Sequence, residues 1–209
     1  MNCNGGASSE LSTHFAFQEV MNQQTKNLTI AVLIGSLRKE SFTRKVANAM
    51  IALAPKTLEL KIIEIGNLPL YNEDLDQDPP EAWTNFRNQL KSADGVLFFT
   101  PEYNRSVPGV LKNAIDVGSR PQNQNAWDGK PGAVVSVSPY SMGAFGANHH
   151  LRQSLVFLNV PTMQQPEAYL ANVGKFLNEK GEVTQDSTKA LMQKFMNAFE
   201  VWAQKNART

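Results

Sequence analysis

The run Thr100-Pro101-Glu102-Tyr103-Asn104-Arg105-Ser106-Val107-Pro108-Gly109 follows directly on Gly95-Val-Leu-Phe-Phe99. Apart from one glycine, the five residues before it are branched or aromatic, the composition of a strand buried on both faces of a parallel sheet. The proline and glycine that close the run hand over to Val110-Leu-Lys-Asn-Ala-Ile-Asp116, which is apolar at helical spacing. A polar turn bounded by prolines, at the carboxyl end of a central strand, is where open α/β sheets hold their ligands. Read by itself, this turn is either a ligand wall or only a rigid connection.

Working outward, Leu28-Thr-Ile-Ala-Val-Leu-Ile34 is apolar almost throughout and predicts a first strand covered on both faces. Gly35 to Glu40 is a polar turn. From Ser41 onward, Phe42, Val46, Ala49, Met50 and Leu53 recur at helical spacing until Pro55. Leu58-Glu-Leu-Lys-Ile-Ile-Glu64 alternates, which predicts a strand nearer the sheet edge. Trp83, Phe86 and Leu90 share one face of a helix that precedes the strand at Gly95. Further on, Pro131-Gly-Ala-Val-Val-Ser-Val137 predicts a fourth strand. A helix from about Ala147 to Leu158 carries Leu151, Leu155 and Leu158, and Val160-Pro-Thr-Met163 reads as a weak fifth strand. A terminal amphipathic helix spans Ala190 to Ala203, with Leu191, Phe195, Phe199 and Trp202 inward.

Strand and helix alternate without repeats or an internal linker, which implies an α/β fold: a doubly wound, five-stranded parallel sheet in three layers. The two strands buried on both faces come first and third, so the order is expected to be 2-1-3-4-5, the flavodoxin-like arrangement. Residues 27–209 are expected to form this one domain. Residues 1–26, rich in Asn, Gln and Ser, read as an N-terminal extension expected to be poorly ordered.

Composition narrows the function. A net charge of +1, from 20 basic and 19 acidic residues, provides no global field for nucleic acid or an anionic membrane. No apolar run reaches the ~20 residues of a membrane span, and the first residues lack a signal peptide's basic start and apolar core, so a cytoplasmic protein is expected. Cys3 is the only cysteine, so there is no internal disulfide and no cysteine-ligated cluster. The histidines, His14, His149 and His150, lack metal-ligand spacing, and no metal is expected.

Three loops carry the candidate chemistry. Gly35-Ser36-Leu37-Arg38-Lys39-Glu40-Ser41-Phe42-Thr43 joins the first strand to its helix, so free amides and the positive helix end face any ligand there. With the hydroxyls of Ser36, Ser41 and Thr43 and the fork of Arg38, it describes a cradle for one phosphate. It lacks the second glycine and the Gly-Lys pair of a P-loop, and the glycines of a dinucleotide fingerprint. Ser41 is also placed to cap the helix. In the opening run, backbone amides with the side chains of Glu102 and Asn104 suit the edge of a flat heterocycle, and Pro101 and Tyr103 its wall. Ser138-Pro-Tyr-Ser-Met-Gly-Ala-Phe-Gly146 follows the neighbouring strand and either borders the same crevice or simply joins strand to helix. The acidic loop from Glu73 to Asp78 is either a solvated face or reaches a neighbouring subunit.

The motifs Gly-Ser-Leu-Arg-x-x-Ser-Phe, Thr-Pro-Glu-Tyr-Asn-x-Ser-Val-Pro-Gly-x-Leu-Lys-Asn-Ala-Ile-Asp, Ser-Met-Gly and Leu-Arg-Gln resemble those of the NADPH-dependent FMN reductases, most closely the chromate or quinone reductase branch. The likeness runs from about Leu28 to Ala203. It implies a tightly bound FMN, with NADPH or NADH as hydride donor and small molecules as electron acceptors: quinones, chromate, azo or nitro compounds, or free flavin. It further implies that Ser36, Arg38, Ser41, Phe42 and Thr43 line the phosphate and ribityl site. Pro101, Glu102, Tyr103 and Asn104 would flank the ring, and Ser138, Ser141, Met142 and Gly143 its far edge. Thr43 stands where the family commonly has Asn. Residue 105 varies in the family; as Arg105 it is either a substrate-binding residue for anionic ligands or a solvated loop arginine. No catalytic side chain is assigned, since the flavin carries the chemistry. The resemblance also implies a homodimer or homotetramer, although the stretch between Gly143 and Leu151-Arg152-Gln153 is shorter than in close relatives. The competing reading is a flavodoxin-type FMN electron carrier that does not oxidise NAD(P)H.

Overall fold

The computed structural model of the protein describes residues 26–208, so the N-terminal extension lies outside the described residues save for Lys26. Five parallel strands, β1 (Leu28–Ile34), β2 (Leu58–Ile62), β3 (Gly95–Thr100), β4 (Gly132–Val137) and β5 (Ala168–Leu170), form one sheet in the order β2-β1-β3-β4-β5. The helices are α1 (Phe42–Ala52), α2 (Glu81–Lys91), α3 (Gly109–Gly118), α4 (Phe145–Phe157) and α5 (Asp186–Asn206). The order and the parallel pairing are those expected from the sequence.

The pleat decides which helices cover which face, because successive side chains point to opposite sides. Leu28, Ile30, Val32 and Ile34 pack with α1 and α5, whereas Ala31 and Leu33 pack with α2, α3 and α4. β3 divides the same way, Leu97 and Phe99 to one core, Val96 and Phe98 to the other. β1 and β3 are therefore apolar on both faces, and β2 alternates because it is an edge strand with one face in solvent. Phe195 and Phe199, at 1% and 0% exposure, anchor α5. Each contributes about 1.5–3 kcal/mol by burial, more than the ~1 kcal/mol at stake in the side-chain cap this helix lacks.

Three local expectations change. The fifth strand is Ala168–Leu170 rather than Val160–Met163. The earlier segment makes a single bridge, Thr162 to Gly132, and Pro161 and Pro166 have no N–H to extend a ladder. The strand forms only beyond them, against Val135–Val137. α5 is longer than the periodicity suggested, and Leu191 is 43% exposed, its inward place taken by Met192 and Met196. In the acidic loop Glu73, Asp74 and Asp78 are solvated, but Asp76 turns inward. It accepts the Tyr71 hydroxyl at 3.0 Å and lies 3.7 Å from the buried Arg87. Asn113 pins the same loop by accepting from the Tyr71 amide (2.8 Å) and donating to the Leu68 and Pro69 carbonyls.

Candidate functional site

The carboxyl ends of β1, β3 and β4 bring the three loops to one edge of the sheet, at the point where the strand order reverses. In the first loop Gly35 donates its amide to the Phe99 carbonyl and so ties the loop to β3. Thereafter no backbone amide from Ser36 to Thr43 donates to a described backbone carbonyl. Ser41 is the N-cap of α1: its hydroxyl oxygen accepts from the Arg44 amide at 3.1 Å, which leaves its own proton free to donate. Ser36, Ser41 and Thr43 are buried, at 5%, 2% and 3% exposure. Arg38 is exposed and pairs with no carboxylate among the described residues.

The second loop is a miniature hairpin. Tyr103 and Ser106 exchange both backbone hydrogen bonds at 3.0 Å, and the two residues between them, Asn104 and Arg105, have φ of 50° and 64°. Two consecutive left-handed residues make the type I′ turn that suits a tight hairpin. Asn tolerates that region, whereas Arg holds it at a cost of order 1 kcal/mol, strain of the kind found at functional sites. The hairpin is fixed to α4 at both ends. Glu102 Oε2 accepts from the Ala147 amide at 3.1 Å, capping a helix whose N-cap, Ala144, has no side chain able to do so. Ser106 Oγ meets His150 Nδ1 at 2.9 Å. Gly146 permits this approach, since a Cβ there would lie 2.8 Å from the Arg105 carbonyl oxygen. The Glu102 carboxylate is thus turned toward the start of α4 and Arg105, to which Oε1 is 3.0 Å distant.

The third loop turns on Gly143, at φ 60°, where a Cβ would strike the Tyr169 backbone. Below it lies a polar chain that the sequence reading missed. Ser136 Oγ donates to the Gly143 carbonyl (2.7 Å) and accepts from Asn148 Nδ2 (3.3 Å). Asn148 Oδ1 accepts from Arg152 Nε (2.9 Å), and Arg152 Nη1 donates to the Met163 carbonyl (2.9 Å). Ser136 and Asn148 are fully buried. The only signal in the sequence was a serine inside an otherwise apolar strand.

Two adjoining clefts result. One, of about 230 Å³, is lined by Ser36, Arg38, Phe42, Thr43, Pro101, Glu102, Tyr103 and Ser138, with Val137, Pro139 and Tyr140. The other, of about 370 Å³, is lined by Glu102, Asn104, Arg105, Ser138, Ser141 and Met142, with Tyr140 and Ala144. Glu102, Ser138 and Tyr140 belong to both, so the clefts are continuous, in the size range of small-molecule sites. Of the residues singled out, Ser41 and Gly143 line neither cleft. Ser41 sits behind the first as the helix cap, and Gly143 shapes the backbone of the second. Tyr140, 77% exposed between the two, was not singled out; an aromatic inside a ligand loop was the available signal. Among the described residues no His, Cys, Asp or Glu cluster could hold a metal ion.

The profile of the NADPH-dependent FMN reductases matches residues 28–175. The chain belongs to that family. A quinone reductase of Pseudomonas putida is 58% identical over 179 residues, 85% of this chain and 96% of that one. A 2-hydroxy-1,4-benzoquinone reductase of a Burkholderia species is 43% identical over 175 residues, covering 84% and 96%. Among solved structures, FerB of Paracoccus denitrificans, a flavoenzyme NAD(P)H:(acceptor) oxidoreductase, superposes with a TM-score of 0.83 at 41% identity, covering 87% of this chain and 100% of the other.

The site fits the family's FMN on its own chemistry. Amides with no acceptor among the described residues, beside the buried hydroxyls of Ser36, Ser41 and Thr43 and a guanidinium with no described carboxylate partner, suit a phosphate. The wider cleft, walled by Tyr140 and Met142 beneath a rigid hairpin, suits a flat ring. Within the FMN reductase family the flavodoxin-type carrier, the other reading left open by the sequence, gains no support.

Proposed function

We propose that this protein is an FMN-dependent NAD(P)H oxidoreductase that reduces quinones and, at the same open site, other acceptors such as chromate, azo or nitro compounds and free flavin. The observation that carries the reading is the run of amides from Ser36 to Thr43 that meet no described backbone carbonyl, beside a cleft that continues under the Tyr103–Ser106 hairpin. The names of its relatives support it. FMN, when bound at these residues, would supply the hydride and electron chemistry between a nicotinamide donor and an acceptor.

The protein's own residues bind and orient. Ser36, Ser41, Thr43 and Arg38 hold the phosphate, with the N-terminus of α1 adding its dipole. Phe42 sits beside the ribityl chain. Pro101, Glu102, Tyr103 and Asn104 flank the ring, while Ser138, Ser141, Met142 and Gly143 define its far edge. Glu102 acts through Arg105: anchored on the Ala147 amide, its carboxylate positions the guanidinium over the mouth of the wider cleft. Arg105, with its side chain 69% exposed, draws anionic groups of the nicotinamide nucleotide or the acceptor toward the ring. No side chain is assigned a nucleophilic or acid–base role.

The reading includes self-association and a cytoplasmic location. Val156 and Phe157 on α4 are 75% and 90% exposed, beside a groove of about 500 Å³ floored by Ile115 and Leu158. The groove also carries Lys112, Asp116 and Arg120. A surface with its own knob, its own hole and both signs of charge suits a two-fold contact with a second copy. No described helix is long and apolar enough to cross a membrane, and a need for NAD(P)H supports the cytoplasm. Steady-state oxidation of NADPH and NADH with a benzoquinone acceptor tests the activity. Quinone-dependent turnover is expected; FMN binding without turnover would reject it.

A further inference from the structure

We infer that Met142 is a peroxide-sensitive modification site whose sulfoxide restrains Arg105 at the mouth of the cleft. Selectivity comes from exposure. Among the described residues Met50, Met163, Met192 and Met196 are at most 2% exposed, whereas Met142 is 52% exposed and lines the wider cleft. Oxidation of methionine follows access to its sulfur, so among the described methionines a dissolved oxidant reaches this thioether first.

The loop that carries the sulfur is fixed beside it: Gly143 takes a left-handed φ of 60°, Tyr169 packs where a Cβ would stand, and the Gly143 carbonyl is bonded to Ser136. Arg105 Nη1 lies 2.9 Å from the Met142 sulfur and 3.0 Å from Glu102 Oε1, dividing one nitrogen between a weak acceptor and a carboxylate. The oxidant is hydrogen peroxide. A sulfur lone pair attacks one peroxide oxygen, the O–O bond breaks, and a sulfur–oxygen bond forms. The sulfur loses two electrons, and the departing hydroxide takes the remaining peroxide proton and leaves as water. The sulfoxide oxygen accepts from the guanidinium far better than the thioether does. Arg105 is then held against the third loop and competes poorly for an incoming anionic ligand.

The functional consequence rests on the proposed role of Arg105, but the modification itself does not. The test treats the FMN-loaded protein with hydrogen peroxide, then maps one-oxygen mass gains by peptide and measures the KM for NADPH and for quinone. The mass gain is expected on Met142 before Met50, Met163, Met192 or Met196. The KM of whichever ligand Arg105 draws in is expected to rise about fivefold, the effect of one strengthened charge-assisted bond. Methionine sulfoxide reductase should reverse it, and Met142→Leu, judged against its own untreated value, should not show the rise. Oxygen gained equally at the buried methionines, modification of Met142 with unchanged kinetics, or the same rise in Met142→Leu would each overturn the inference. Absence of NAD(P)H turnover before any peroxide would instead defeat the functional reading and leave the mass map to judge Met142.

Discussion

Arg38→Ala and Ser41→Ala separate ligand binding from folding, because the two residues stand in the same loop with different attachments. Arg38 is exposed and bonded to no described carboxylate, so the folded protein loses nothing when it is cut back. In the proposed cradle its loss removes one charge-assisted bond to the FMN phosphate. Such bonds contribute about 1.5–3 kcal/mol when shielded, and exposure reduces this to about 1 kcal/mol, or roughly fivefold in FMN Kd. Ser41 is 2% exposed and caps α1 through the Arg44 amide. Its replacement costs about 1 kcal/mol of stability, which lowers Tm by roughly 2–4 °C in a chain of this size. If the Ser41 proton is donated to the phosphate as proposed, losing that bond in so shielded a position weakens FMN by about tenfold or more. The assays are flavin fluorescence titration of the apoprotein and its thermal melt. Arg38→Ala should shift the first alone, and less so in high salt, while Ser41→Ala should shift both. An Arg38→Ala affinity within about twofold of the parent, or equal melting losses in the two variants, would refute the phosphate cradle.

Three further outcomes are expected. Arg105→Ala should raise KM for NADPH or lower quinone kcat/KM about fivefold with little change in Tm, since the side chain is largely solvated; unchanged values for both would remove Arg105 from the site. Phe157→Glu should sediment as a monomer where the parent sediments as a dimer or tetramer, and an unaltered mass would move the interface elsewhere. Burial first, then the hydrogen bond to Glu167, pushes the Tyr169 phenol up to about 12. Its folded pKa lies above the unfolded value, so the stability it adds is present below pH ~10 and fades as pH climbs from ~10 toward 12. Tyr71 is also raised, by burial and then its bond to Asp76, so ultraviolet titration should find a tyrosine ionising near pH 12 that disappears in Tyr169→Phe while Tyr71 remains.

What the sequence disclosed and what it concealed follow one physical division. Patterns set by local burial were legible: the continuous apolar runs of β1 and β3, the alternation of β2, and the Ser41 cap. Features that need a distant partner were not. Asn104-Arg105 contains no glycine, and its two positive φ values become evident only once Tyr103 and Ser106 pair across it. Glu102 reads as a ligand-facing carboxylate until α4 brings the Ala147 amide to it, and nothing in the sequence marks Asn148, which only the fold encloses between Ser136 and Arg152. The fifth strand was misplaced because Val160–Met163 is apolar enough for a strand, while the prolines around it forbid the ladder. The hydroxyls and arginine of the first loop could be read as a group because they are contiguous. Met142 and Arg105 were named from the sequence, but the contact between them joins two loops and became evident only in the fold.

The claim at the centre of this account is that the cleft between the Ser36–Thr43 run and the Tyr103–Ser106 hairpin holds a redox-active flavin. A visible spectrum of the purified protein, followed by anaerobic titration with NADPH and then NADH, measures it directly. The account predicts an FMN absorption band that bleaches on adding a nicotinamide donor and returns on adding quinone. A colourless protein that takes up no FMN, or a bound flavin that neither donor reduces, would contradict it.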